Sequence, residues 1–290
     1  MMNMQDLFLS FLLVCVTAVW GSTFVVVQDA VEQYSVIPFL AIRFLVATVT
    51  LAVFTRSRTR VALNSFLVGI GIGIALTGGY LLQTLGLLYT TPTNSGLITG
   101  LCVVFVPVVD FLLFRLRPSF VSLGALGIST LGMLLLVGFS PTGFQFGDVL
   151  TLGCAICFGL HISLLSRYAK NHRALVLALG QMFIAGVLFS LLWPIQPAQS
   201  LPNQEVWQAI LLTGIVASAI GFSVQSYVQQ RLSSIRTAVI LTTEPVFAAI
   251  FGYFLAGDRL TMLQMLGGIL IVSAMLVSEL YPLLLGKKEL

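Results

Sequence analysis

Charged side chains make up only 8% of these 290 residues, where a soluble domain carries about 25%. No long hydrophilic stretch interrupts the chain, which excludes a separate nucleotide-binding domain and with it a self-contained ATP-driven machine. Cysteine is also sparse. Cys15, Cys102, Cys154 and Cys157 all fall inside apolar runs, so they read as buried thiols and not as the disulfide framework of a small secreted protein. The two histidines and a solitary mid-run glutamate form no paired motif of nucleophile and base, so an intramembrane enzyme is disfavoured. No Lys or Arg precedes the first apolar run, Leu7 to Val27, and no small-residue cleavage pattern closes it. It is therefore expected to stay as a transmembrane helix.

What remains is apolar. Hydrophobic residues make up 58% of the chain and the mean hydropathy is +1.04. Runs of roughly 20 residues, the length that crosses a hydrocarbon core, lie at about 7–27, 37–55, 65–88, 93–114, 119–139, 147–168, 174–194, 205–229, 235–256 and 261–284. The expected fold is an all-α integral membrane protein of ten transmembrane helices in a lipid bilayer.

The net charge of +4 belongs to loops and implies no nucleic-acid partner. With both termini cytoplasmic, twelve of the fourteen basic residues fall on the inner side: Arg56, Arg58, Arg60, Arg115, Arg117, Arg167, Lys170, Arg173, Arg231, Arg236, Lys287 and Lys288. Only Arg259 is outside and Arg43 lies within a run, while Asp29, Glu32, Asp148, Glu205 and Asp258 mark the outer loops. This is the positive-inside pattern. Merging the third and fourth runs would give nine helices and put every later basic loop on the wrong face.

The two halves repeat. Trp20-Gly21 and Phe158-Gly159, and Arg43 and Gln181, stand 138 apart; Gln83 and Gln225, and Arg117 and Arg259, stand 142 apart. Leu123-x-x-Leu126-Gly127 recurs 140 residues on as Leu263-x-x-Leu266-Gly267. Five helices per copy is an odd number, so the second copy, 140–290, is expected to lie inverted relative to the first, 1–139.

Trp-Gly-Ser-Thr-Phe at 20–24, Ala-Ile-Arg-Phe at 41–44, Asn-Ser-Gly-Leu-Ile-Thr-Gly-Leu at 94–101 with Val106-Pro107, Thr-Glu-Pro-Val-Phe-Ala-Ala at 243–249 and Gly-Asp-Arg-Leu at 257–260 resemble the EamA-type transporters of the drug/metabolite transporter superfamily. The resemblance runs from Phe8 to Leu284. It implies a carrier of two inverted five-helix repeats in a bacterial inner membrane, often exporting amino acids or other small metabolites. Val106 precedes Pro107 where Glu244 precedes Pro245, so no symmetric acidic pair is implied.

Helix-period stripes of small and polar residues mark inward faces, because a lipid-facing polar group finds no partner. They fall on the first, third, fourth, sixth, eighth and ninth runs, leaving the fifth and tenth outside as packing faces or a homodimer contact. The expected substrate cavity draws on Trp20, Thr77, Tyr80, Gln83, Asn94, His161, Ser218, Gln225, Tyr227 and Glu244, with Phe158 as a further aromatic wall. Close helix packing is the competing explanation for the small residues, and ordinary packing for the aromatics.

Four ionisable groups lie well inside runs: Arg43, Asp110, His161 and Glu244. A mid-helix Asp or Arg costs about 2.5–3.5 kcal/mol on insertion scales, so each needs a reason. Arg43 is expected to snorkel outward or tie down Asp29 or Glu32, and Asp110 to pair with Arg115. Glu244 is the candidate for proton coupling or amine binding; the alternative is a protonated carboxyl that fixes a proline kink. Cys154, Cys157 and His161 share one helical face, as a soft-metal site would need. One helix seldom closes such a site, and no metal or other cofactor is expected. The leading function is a secondary carrier exporting amino acids or related amines and carboxylates by alternating access; uptake of another small solute is the alternative.

Overall fold

The computed structural model describes residues 4–58, 63–117, 120–138, 145–196, 200–232, 237 and 240–284. All regular structure among them is helical: α1 (Met4–Gln33), α2 (Val36–Arg58), α3 (Leu63–Gly86), α4 (Pro92–Gly100), α5 (Cys102–Phe114), α6 (Phe120–Gly138), α7 (Phe146–Tyr168), α8 (Ala174–Leu192), α9 (Gln204–Leu211), α10 (Gly221–Gln229), α11 (Glu244–Phe251) and α12 (Met262–Leu284). Seven described segments are long and apolar enough to cross a membrane, and three shorter apolar helices accompany them at Leu123–Leu136, Glu244–Ala256 and Met262–Ala274. Arg60, Arg236, Lys287, Lys288 and the ends of the expected fifth and ninth helices lie outside the described residues.

Four runs depart from the uniform helices expected of them. The first helix continues to Gln33, because Ala30, Glu32 and Gln33 are good helix formers although polar. The fourth run is two helices parted at Leu101, where the N–H of Leu101 turns back to the Ile98 carbonyl at 3.1 Å. The eighth carries a π-helical stretch, Leu212–Ile220, between α9 and α10. The ninth run likewise breaks at Thr242 and Thr243 before α11, with Pro245 in the first turn, where its missing N–H removes no helical bond. A second π-stretch, Gly252–Ala256, follows and ends at Gly257, whose φ of 73° suits glycine.

Glycine sets the closest helix approaches. A Cβ at Gly69 would strike the Leu177 carbonyl and one at Gly180 the Phe66 carbonyl, which locks α3 against α8. Gly132 and Gly267 meet backbone to backbone and join α6 to α12. Gly127, the repeat counterpart of Gly267 by sequence, faces open space instead.

Polar contacts sort the connections into two ends. At one end Gln28 donates to the carbonyls of Leu87 and Thr90, Asp148 accepts from the Thr90 hydroxyl at 2.6 Å, and Asp258 accepts from the Thr93 N–H at 2.9 Å. Gln33 joins the same end through Glu205 and Asn203. At the other, Ser65 meets His172, Gln230 donates to the carbonyls of Ala169 and His172, and Arg167 lies over Phe114. The acidic connections thus gather at one end and the basic ones at the other.

Candidate functional site

Between these ends lies a cavity with about 580 Å³ of space free of protein atoms, counting its mouth. α1 supplies Trp20, Thr23 and Phe24; α3 supplies Leu76, Tyr80 and Gln83; α7 supplies Phe158, His161 and Ile162; α10 supplies Phe222 and Gln225. Gly100 and Cys102 flank the break between α4 and α5, and Leu241 and Glu244 flank the break before α11. Both interrupted runs therefore reach the cavity at their breaks, where irregular backbone is tolerated because it does not face lipid.

Aromatic rings hold the walls in place. Tyr80 meets Phe44, Phe158 and Phe222 edge-on at centroid distances of 5.0, 5.3 and 6.1 Å. Trp20 packs on Phe222 at 5.1 Å and donates its indole N–H to the Ala217 carbonyl at 2.8 Å. That carbonyl lies in the π-stretch, whose looser ladder frees acceptors for side chains of neighbouring helices.

The polar groups divide into satisfied and open. His161 Nε2 meets Gln181 Oε1 at 2.7 Å, and Gln83 donates to the Thr99 hydroxyl at 3.3 Å. Gln225 Oε1 is buried without a hydrogen-bond partner among the described residues. Glu244 is half-buried in the cavity wall, and no described residue hydrogen-bonds its carboxylate. The first turn of α11, where it sits, favours a negative group through the aligned peptide dipoles.

Two stretches of the chain, residues 7–138 and 145–279, match the sequence model of the EamA-like transporter family. The chain belongs to that family. It is a multi-pass membrane transporter of the drug/metabolite transporter superfamily, not an enzyme. An uncharacterized transporter of Archaeoglobus fulgidus is 32% identical over 92% of this chain and 84% of its own length. The threonine/homoserine exporter RhtA of Escherichia coli is 27% identical over 46% of this chain and 45% of its own. A solved crystal structure shares the fold with a TM-score of 0.71 at 19% identity, over 99% of this chain and 100% of that one.

Six of the ten residues expected around the cavity do meet there: Trp20, Tyr80, Gln83, His161, Gln225 and Glu244. Four do not. Thr77 returns its hydroxyl to the Gly73 carbonyl, a local bond open to any helical threonine. Ser218 accepts from Arg43, Asn94 lies buried in the first turn of α4, and the Tyr227 ring is exposed beneath Arg231 at 3.5 Å. The π-stretch explains the scatter along the eighth run, because its wider turns shift the phase of everything after it. An unbroken 3.6-residue period would have put Ser218, Gly221 and Gln225 on one face; instead Ser218 meets Arg43, Gly221 abuts Trp20, and Gln225 reaches the cavity.

Two ionisable groups also have partners other than those expected. Arg43, only 1% exposed, points into the bundle, not outward. Its Nε donates to Ser218 at 3.1 Å and its guanidinium lies 4.6 Å from the Tyr80 ring centre. Asp110 accepts from the Ser163 hydroxyl of α7, while Arg115 ends α5 in a left-handed conformation, φ 58°. Phe222, missed from sequence, sits three residues before Gln225 on the same helical face, and that spacing could have flagged it.

Proposed function

We propose that this transporter is a secondary carrier of ten spans that exports small metabolites, amino acids or related amines and carboxylates, by alternating access. In this reading the repeats 1–139 and 140–290 are inverted relative to each other in a bacterial inner membrane, both termini are cytoplasmic, and the fifth and tenth spans offer their outer faces to lipid or a second copy. The seven long and three shorter apolar segments, and the separation of acidic from basic connections, support that topology.

One observation carries the choice of cargo. Glu244 presents to an aromatic cavity, at a helix break, a carboxylate with no hydrogen-bond partner among the described residues. A carboxylate among aromatic faces suits an ammonium group, which gains both ion pairing and cation–π attraction. The amides of Gln83 and Gln225 add neutral hydrogen-bonding capacity beside it, and the name of the RhtA relative supports amino acids as the cargo. Glu244 is also the group we assign to proton coupling.

Purified protein in liposomes loaded with labelled amino acids should release them chemically unaltered when a proton gradient is imposed. Accumulation under every gradient polarity that sustains transport would make the protein an uptake carrier, and chemical conversion of the label would remove the carrier reading altogether. Reporter fusions should place the C-terminus inside; a C-terminal fusion active only outside would sink the ten-span topology.

A further inference from the structure

Arg259 is the exception in the charge map. It sits at the acidic end beside Asp258, whose carboxylate accepts from the Thr93 N–H, and it pairs with no carboxylate among the described residues. Its Nη1 donates to the carbonyls of Tyr253 and Asp258 at 3.1 and 2.9 Å, and its guanidinium lies 4.2 Å from the Tyr253 ring centre. Nε and Nη2 have no hydrogen-bond partner among the described residues, and the side chain is exposed. Arg117, 142 residues earlier, occupies the corresponding connection at the basic end, where an arginine follows the charge pattern. Arg259 opposes that pattern and needs another account.

Beside it a lateral groove opens between α11 and α12, with about 730 Å³ of space free of protein atoms, counting its open side. Val246 and Ala249 form one wall, Met265, Ile269 and Ser273 the other, and the buried Pro245 and Leu97 the floor. Leu260, next to Arg259, also lines it, and Tyr253, under the guanidinium, lies seven residues after Val246 and four after Ala249 on one helical face. The arginine therefore stands at the end of the groove. Met265 to Ser273 cover about 12 Å of helix, most of one leaflet's share of a hydrocarbon core about 30 Å thick. A smaller groove of about 380 Å³ recurs in the first half. Its Val104, Ser129 and Met133 correspond to Val246, Ile269 and Ser273 at spacings of 142, 140 and 140 residues.

A two-fold contact with a second copy through this face would bring two Arg259 guanidiniums to the same end with no carboxylate between them. A phospholipid supplies what both parts lack: an acyl chain for the apolar groove and phosphate oxygens for Nε and Nη2, which form the side-on fork of the guanidinium. We propose that the groove is a binding site for an anionic phospholipid, with an acyl chain between α11 and α12 and the headgroup phosphate on Arg259. The site requires neither an amino-acid cargo nor a direction of transport; on the topology above it lies in the outer leaflet. A chain seated against Pro245 braces the helix break whose cavity side carries Glu244.

Bimane attached at Ser273→Cys, in the full-length carrier freed of its other cysteines, reports on the groove. In vesicles it should be quenched by bromine-labelled phosphatidylglycerol at a mole fraction at least threefold lower than by bromine-labelled phosphatidylcholine. Arg259→Gln should bring that ratio to near one. Arg231→Gln removes another exposed arginine stacked on a tyrosine, at the opposite end, and should leave the ratio unchanged. Ala249→Phe, which fills the groove, should weaken quenching by both lipids, and the same label at Leu131→Cys should show no preference. Equal quenching at position 273 by the two lipids, or a preference that Arg259→Gln leaves intact, overturns the site. Absence of quenching by either lipid, with cross-linking of two carriers through Ser273→Cys, gives the groove to a second copy and overturns it too. The unlabelled carrier provides a reading without cysteine replacement: phosphatidylglycerol, and not phosphatidylcholine, should raise the melting temperature of the wild type and of Arg231→Gln but not of Arg259→Gln. No difference between the lipids on the wild type overturns the proposal, and the wild-type contrasts decide the matter even if a variant does not fold.

Discussion

The fourth and the ninth apolar runs are both interrupted, and the two interruptions correspond. Leu101 precedes α5 and Thr243 precedes α11, 142 residues apart, the same spacing that separates Gln83 from Gln225. That register pairs Cys102 with Glu244, each the first residue of the helix after the break and each in the cavity wall. The pairing of Val106-Pro107 with Glu244-Pro245, natural by motif, is four residues out of this register. One scaffold position therefore holds a thiol in the first half and a carboxylate in the second. The same divergence recurs in the second and seventh runs. Arg43 and Gln181, 138 apart, are both buried, but Arg43 turns to Ser218 and the Tyr80 ring whereas Gln181 turns to His161. The halves share their breaks and close packing and differ in where charge sits.

The largest expected difference between the halves is functional. Glu244→Gln keeps shape and hydrogen bonding but removes both the charge and the titration, so a folded variant should bind substrate more weakly and lose flux driven by a pH gradient, while exchange at saturating substrate persists. Cys102→Ser, the counterpart change, should affect that flux far less. Undiminished gradient-driven transport by Glu244→Gln would reduce the residue to a packing group and erase the functional side of the contrast.

Packing should respond next. Gly180→Val forces a branched side chain against the Phe66 carbonyl and Gly69, and overpacking of this kind costs about 1–3 kcal/mol or more. Its melting temperature in detergent should fall well below that of the wild type. Gly71→Ala lies two residues along α3 from Gly69 but on its exposed side, with nothing within 4 Å of the added methyl, so its effect should stay within about 1 kcal/mol. Equal losses from both would mean that the α3–α8 contact is not the close one.

The finest test separates cavity from stripe. In a cysteine-free background, cysteines at Gln83 and Gln225 should react with small aqueous thiol reagents and be protected by substrate. Cysteines at Thr77 and Ser218, which share the sequence stripes but not the cavity, should react slowly. Labelling at the lipid-side positions Leu131 and Leu270 as fast as at Gln83 would remove the aqueous cavity.

Much of this was legible in the chain. The apolar runs, the sparse charge and the paired motifs point to a helical membrane carrier because the bilayer leaves few other ways to satisfy the backbone. Trp20, Tyr80, Gln83, His161, Gln225 and Glu244 could be chosen as cavity residues because each is polar or aromatic on a periodic inward face. Thr77, Ser218, Asn94 and Tyr227 fit the same pattern yet lie outside this cavity, since periodicity identifies a face without naming what that face meets.

Sequence by itself determined the solvent, the helical class and the family, because length, hydropathy and charge placement are properties of the chain read in order. Tertiary structure decided the partners of the charges. That Arg43 turns inward to Tyr80, that Asp110 takes Ser163 rather than Arg115, and that the eighth run changes phase at 212–220 all depend on helices distant in sequence. A buried charge must be compensated by whatever the fold brings near it, and nothing local to Arg43 or Glu244 specifies which groups those are.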